Sequence, residues 1–253
     1  VLTLHRHGHL LRFDDTGFAQ PPYVYRPLTR GRAYEEAFLE HVRSLHRPGQ
    51  YVDVGAHLGT HALWFAVLCP ATHVHAFEPV ARYAEVLRRN VAANGVGAKV
   101  TVHQMGLAAD RGFARVWLSP EHQVGFGHGD PPGSVVEEFP VARLDDVVRG
   151  PVAVIKLDVE GMESAVLRGA GRILSRHRPV VFAEANTEAE GESVAQVLAP
   201  YGYRATGRVF NSSPTYEYAA PPNRGRERLR PVWRRLPPAL RERVRAALAD
   251  PPR

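Results

Sequence analysis

One cysteine in 253 residues excludes an intramolecular disulfide and a thiolate zinc site, and Cys69 stands in an apolar stretch where a small core residue is expected. Lysine is almost as scarce, with Lys99 and Lys156 set against 30 arginines. Long hydrophobic runs are missing too. The longest, residues 62–71, is interrupted by Pro70 and is about half of a membrane span. No signal-peptide pattern is visible in a chain that begins at Val1. These absences lead us to expect a cytoplasmic protein, and 44% apolar with 23% charged residues is ordinary for a globular one. The end of the chain lacks acidic charge. Residues 221–253 hold ten Arg against Glu227, Glu242 and Asp250, so the net charge of +6 divides into +7 there and −1 over residues 1–220.

What is present alternates strand and helix patterns, which predicts an α/β fold around a parallel sheet. Residues 32–46 read as a helix with Tyr34, Phe38, Leu39 and Val42 on one face, ended by Pro48-Gly49. One strand is expected to end at the Gly55 turn and a second at Glu78, with others covering residues 99–104, 152–159 and 179–184 and two more near residues 203–210 and 215–219. Further helices are expected at 60–69, after Glu78-Pro79, at 166–174 with Gly169 and Gly171 as breaks, and at 193–199. Asp110-Arg-Gly112 reads as a turn into a strand at 113–118, and residues 119–134, rich in Gly and Pro, as a long loop.

The most informative stretch is Val52-Asp-Val-Gly-Ala-His-Leu-Gly-Thr60, followed by His73-Val-His-Ala-Phe-Glu-Pro79. It describes a buried strand, a glycine turn, a buried helix and a second strand ending in a carboxylate 23 residues beyond Gly55. In a doubly wound sheet Glu78 then reaches both hydroxyls of a ribose. A nicotinamide dinucleotide would need three glycines in a G-x-G-x-x-G pattern, whereas Gly55 and Gly59 stand alone. Asp53 would repel a pyrophosphate and attract a ligand carrying an ammonium and a sulfonium. The expected cofactor is S-adenosylmethionine, held by Asp53, Gly55, His57, Gly59, Thr60 and Glu78, with Met105 after the third strand as a further contact.

A second block, Ile155-Lys-Leu-Asp-Val-Glu-Gly-Met-Glu163 with Val166-Leu-Arg-Gly-Ala170, completes a pattern that resembles the FkbM family of S-adenosylmethionine-dependent methyltransferases. The other shared blocks are residues 53–59, Phe77-Glu-Pro79 with Asn90 and Asn94, and Arg143-Leu-Asp145. The resemblance implies a class I methyltransferase, Rossmann-like fold, with a seven-stranded, mostly parallel sheet and helices on both faces. It also implies O-methylation of hydroxyls on sugars, polyketides or similar metabolites. His57 and Met162 depart from the pattern, which more often has Asn and an aromatic residue there. On this reading residues 1–30 are an N-terminal extension, 31–220 the methyltransferase domain and 221–253 an Arg/Pro-rich tail.

A sulfonium methyl is already activated, so the protein must align the acceptor oxygen and take its proton. Asp158 at the end of the fourth strand is the expected acceptor-side group, with Lys156 beside it and Glu184 on the next strand. Lys156, Asp158 and Glu160 share a face as long as the strand persists. The competing reading is a structural ion-pair cluster. Asp158, Glu160 and Glu184 could also hold Mg²⁺, and His5, His7 and His9 on one strand face could hold zinc, but no metal is assigned. His61, His122 and His128 are further proton-acceptor candidates. The tail suggests an RNA-modifying enzyme, yet two lysines cannot assemble the lysine-aspartate-lysine-glutamate tetrad of ribose methyltransferases. A non-catalytic cofactor-binding scaffold is the third alternative. A helix starting near Pro238, with Leu240, Val244, Ala247 and Leu248 on one stripe, could dock on the body, on another subunit or on an anionic membrane. The expected partner is a small-molecule or glycan hydroxyl acceptor.

Overall fold

The computed structural model describes residues 1–18, 22–118, 124–126 and 135–221. Its elements in chain order are β1 (Leu2–Arg6), β2 (His9–Phe13), α1 (Glu36–Ser44), β3 (Gly49–Val54), α2 (Thr60–Leu68), β4 (Ala71–Phe77), α3 (Ala81–Ala93), β5 (Val100–His103), β6 (Gly106–Leu107), β7 (Gly112–Leu118), β8 (Val124–Phe126), β9 (Val135–Ala142), α4 (Leu144–Val147), β10 (Val152–Leu157), α5 (Glu163–Arg168), α6 (Gly171–Arg176), β11 (Val180–Glu184), α7 (Glu188–Leu198), β12 (Arg204–Phe210) and β13 (Thr215–Ala219). A short 3-10 helix spans Tyr23–Arg30.

The main sheet runs β12-β13-β11-β10-β3-β4-β5, with β11, β10, β3, β4 and β5 parallel and β13 and β12 antiparallel at one edge. From β3 the chain moves outward through β4 to β5, then returns to β10 on the other side of β3. That reversal opens a crevice beyond the carboxyl ends of β3 and β10, where ligands of such sheets bind. Alternate strand residues feed two cores. Tyr51, Val154 and Phe182 pack with α1, α2 and α3, while Val52, Ile155 and Val181 pack with α5, α6 and α7. Asp53, Lys156 and Glu184 belong by parity to the first face, and Lys156 pairs in register with Asp53.

Residues 1–30 join that first core through Leu4, Leu11, Phe13, Val24, Tyr25 and Leu28. His7 and Gly8, both at positive φ, turn the chain between β1 and β2. This corrects the expectation that His5, His7 and His9 share a strand face: they fall on two strands and their turn, and His7 Nε2 meets Glu40 at 2.6 Å. Asn90, fully buried in α3, accepts the Asp14 N–H at 2.6 Å and donates to the Tyr25 hydroxyl and the Leu58 carbonyl, each at 2.7 Å. Asn94 trades two hydrogen bonds with the Arg12 backbone.

A second sheet, β6-β9-β7-β8, was not expected. As the sequence predicts, residues 110–112 turn the chain into a strand. They lead from β6 into β7, and β7 pairs antiparallel with β9. Of the expected loop, residues 124–126 form β8, while the rest, with His122 and His128, lies outside the described residues, as does the tail from residue 222. Among the described residues no helix is long and apolar enough to cross a membrane.

Candidate functional site

A cavity of about 500 Å³ lies at the carboxyl ends of β3, β4 and β10 and is roofed by the second sheet. Gly55 lines it at φ +76, and a Cβ there would lie 1.8 Å from the Asp158 carbonyl oxygen. The turn therefore admits only glycine. Gly59, at φ +86, caps α2 and lies against Leu87, where a Cβ would come within 2.1 Å of Cδ1. Gly59 and Thr60 shape the turn from behind and do not line the cavity.

Glu78 lines the β4 side and is 5% exposed. Its Oε2 accepts the His57 backbone N–H at 2.8 Å and its Oε1 the Val80 N–H at 2.9 Å. One lone pair on each oxygen is thus left for further donors. Burial pushes its carboxyl up to about 7 against the pull of those two bonds. The His57 ring lies parallel to Tyr23, centroids 5.9 Å apart, and edge-on to Tyr83. Burial holds it down at about 4, so the ring is neutral, and its backbone N–H serves Glu78.

The charged group stands at the β3/β10 end. Lys156 Nζ is hydrogen-bonded to the Gly55 carbonyl at 3.0 Å and ion-paired with Asp53 Oδ1 at 3.3 Å and Asp158 Oδ2 at 3.4 Å. Burial disfavours its charge, but Asp158 and Asp53 outweigh burial and raise its pKa. Asp158 is partly exposed and lines the cavity. Burial opposes its ionisation, while Lys156 and a hydrogen bond with Glu184 more than compensate and hold its carboxyl low. The Glu184 carboxyl is raised by burial and by that same bond. Asn186 Nδ2 donates to Glu184 Oε1 at 3.0 Å.

The sequence-predicted residues therefore come together in two layers. Gly55, His57, Glu78, Met105 and Asp158 line the cavity, and Asp53, Gly59, Thr60, Lys156 and Glu184 lie outside its lining. Asp53, expected to attract the ligand, is fully buried beside Lys156. β10 ends at Leu157, so the shared strand face stops short of Glu160, which lines the cavity with φ +51. His61 is buried with its Nε2 3.2 Å from Glu35 Oε2 and its ring stacked on Tyr34. Among the described residues no group of three or more His, Cys, Asp or Glu side chains is placed to hold a metal ion. Sequence reasoning missed Tyr23, Tyr83, Trp117, Phe139 and Val141 on the walls. Residues 135–142, Val-Val-Glu-Glu-Phe-Pro-Val-Ala, do not alternate cleanly, so the sequence carried no strand signal that would have placed the last two.

These surroundings fit S-adenosylmethionine. Phe77, Val80, Met105 and Leu107 offer apolar surface for a base, Glu78 keeps free lone pairs for hydroxyls, the Gly55 turn allows close backbone approach, and Asp158 supplies negative charge for a sulfonium.

Comparison with known proteins agrees. The family model for the methyltransferase FkbM domain matches residues 53–205. The 31-O-demethyl-FK506 methyltransferase FkbM of Streptomyces tacrolimicus is 30% identical over 197 residues, covering 64% of this chain and 72% of its own length. A precorrin-6y C5,15-methyltransferase from Geobacter metallireducens GS-15 is similar in fold, with a TM-score of 0.51 at 16% identity over 83% of this chain and 96% of that one. Methyltransferase FkbM from Methylobacillus flagellatus KT gives a TM-score of 0.49 at 20% identity, covering 68% of this chain. The chain spans 43% of that protein's length.

Proposed function

The chain belongs to the FkbM family of S-adenosylmethionine-dependent methyltransferases, and we propose from that premise that it methylates a hydroxyl oxygen of a sugar, polyketide or related small metabolite. The observation that carries this reading is the Asp158 carboxylate, held ionised by Lys156 and facing the cavity where β10 meets β3. S-adenosylmethionine, held by Gly55, Glu78 and Met105, would supply an activated sulfonium methyl for transfer to that hydroxyl oxygen, with sulfur keeping the electron pair of the C–S bond. Asp158 takes the hydroxyl proton as that oxygen becomes bonded to carbon. Tyr23 lines the cavity and would offer a ring face and a hydroxyl to the acceptor. The relative's name, which specifies a 31-O-demethyl acceptor, supports oxygen as the atom methylated.

The test is mass spectrometry of hydroxylated candidates incubated with enzyme and S-adenosylmethionine, read as the gain of one CH₂. Asp158→Asn should then lower turnover roughly 10²-fold while S-adenosylhomocysteine affinity stays near wild type. Methylation at nitrogen or carbon instead of oxygen, or wild-type turnover in Asp158→Asn, would sink the reading.

A further inference from the structure

Lys156 is buried in a strand where every neighbour along the chain is apolar, and its ammonium is surrounded by three oxygens from two segments. Gly55 and Asp53 lie on β3 and the turn that leaves it; Asp158 follows β10. An ammonium is a compact charge that can donate to the Gly55 carbonyl while standing at ion-pair distance from two carboxylates in different directions; a planar guanidinium fork is less suited to that arrangement. In a chain with 30 arginines, this explains the lysine. Asp53 is fully buried, and neither of its carboxylate oxygens makes a hydrogen bond, so among the described residues the ion pair with Lys156 is what offsets its charge. The two backbones are also tied directly, since the Asp158 N–H donates to the Val54 carbonyl at 3.1 Å and a Cβ at Gly55 would overlap the Asp158 carbonyl.

We propose that Lys156 is a positioning residue that couples the two halves of the site. Its ammonium ties the Gly55 turn, on which the methyl donor is held, to Asp158, which faces the acceptor, and Asp53 is the buried counter-charge that keeps it in place. The donor turn and the proton-accepting carboxylate then move as one unit. Lys156 touches no reacting atom, and this inference rests on the assignment of the cavity to S-adenosylmethionine.

The experiment compares wild type, Lys156→Met, Lys156→Arg and the double variant Asp53→Asn with Lys156→Met, measuring melting temperature and S-adenosylhomocysteine affinity by calorimetry. Lys156→Met should lose both stability and at least tenfold in affinity. The double variant removes both buried charges and should recover the melting temperature, yet stay at least tenfold weaker for S-adenosylhomocysteine because the hydrogen bond to the Gly55 carbonyl is still missing. Lys156→Arg, which keeps the charge, should also bind at least tenfold more weakly. If affinity returns together with melting temperature in the double variant, or if Lys156→Met or Lys156→Arg binds as wild type does, Lys156 only balances charge and the proposal fails. A wild type that binds neither S-adenosylmethionine nor S-adenosylhomocysteine would overturn the cofactor assignment and this inference with it.

Discussion

Glu78 is a carboxylate with two tasks. It fixes the His57 and Val80 backbones, shaping the turn after β3 and the approach to α3, and it presents its remaining lone pairs to the cavity. Hydrogen bonds to a charged group are worth about 1.5–3 kcal/mol each. Glu78→Gln turns one of its two accepting oxygens into a donor that meets a backbone N–H, so it disturbs the turn as well as the ligand contact, and S-adenosylhomocysteine affinity should fall about ten- to a hundredfold, at roughly 1.4 kcal/mol per decade. Calorimetry giving an unchanged dissociation constant would remove Glu78 from the binding site. Glu78 and Gly55 were legible in the sequence because spacing after a strand dictates both. Tyr23 and Trp117 were not. Each reaches the cavity through tertiary folding of a segment whose local pattern carries no ligand signal.

At the scale of elements, the parallel strands were legible because each is a short apolar run bounded by Gly or Pro. The second sheet was not: β6 has two residues and β8 has three, too short to carry a pattern, and β6 pairs with β9 across a long stretch of chain, Gly106 with Val141. The Asn90 and Asn94 positions were legible through the family resemblance, but their work, pinning the β1/β2 hairpin to α3, depends on contacts 76 and 82 residues apart. Between β4 and β5 the sheet holds a feature the sequence lists without explaining. His75 Nδ1 lies 3.1 Å from His103 Nε2, and the His73 ring is 4.8 Å from that of His75. Burial, then the neighbouring histidines, lowers the His75 pKa to about 4, and burial with His73 lowers that of His103. Both are therefore neutral in the fold but take up protons more readily once unfolded. The contribution of His75 to stability is complete above the unfolded value of 6.5 and is lost as pH falls through the folded value of about 4, and that of His103 changes in the same direction. Denaturant midpoints measured from pH 7 to pH 4 should drop, and His75→Gln should flatten that drop. A wild-type slope that is unchanged in His75→Gln would show that other groups control acid unfolding.

For the whole molecule, charge is the quantity that pattern and fold divide differently. Val1–Ala220 forms one compact unit, and the main sheet closes within it at Ala219. The cavity-lining residues run from Tyr23 to Met162, all inside that unit. Residues 1–220 carry −1 and residues 221–253 carry +7, so the basic character of the chain belongs to the segment that follows that unit in sequence. We therefore propose that residues 221–253 are accessory, a segment whose arginines act at an anionic surface and not at the methyl donor. Each such residue near a charged membrane contributes about 1 kcal/mol, screened within a Debye length of about 10 Å at 0.1 M salt. A chain ending at Ala220 should keep the wild-type affinity for S-adenosylhomocysteine and the wild-type melting temperature, and should lose any salt-sensitive binding to vesicles containing anionic lipid. Loss of cofactor binding or a markedly lower melting temperature on truncation would place the tail in the catalytic unit and move the boundary beyond residue 220.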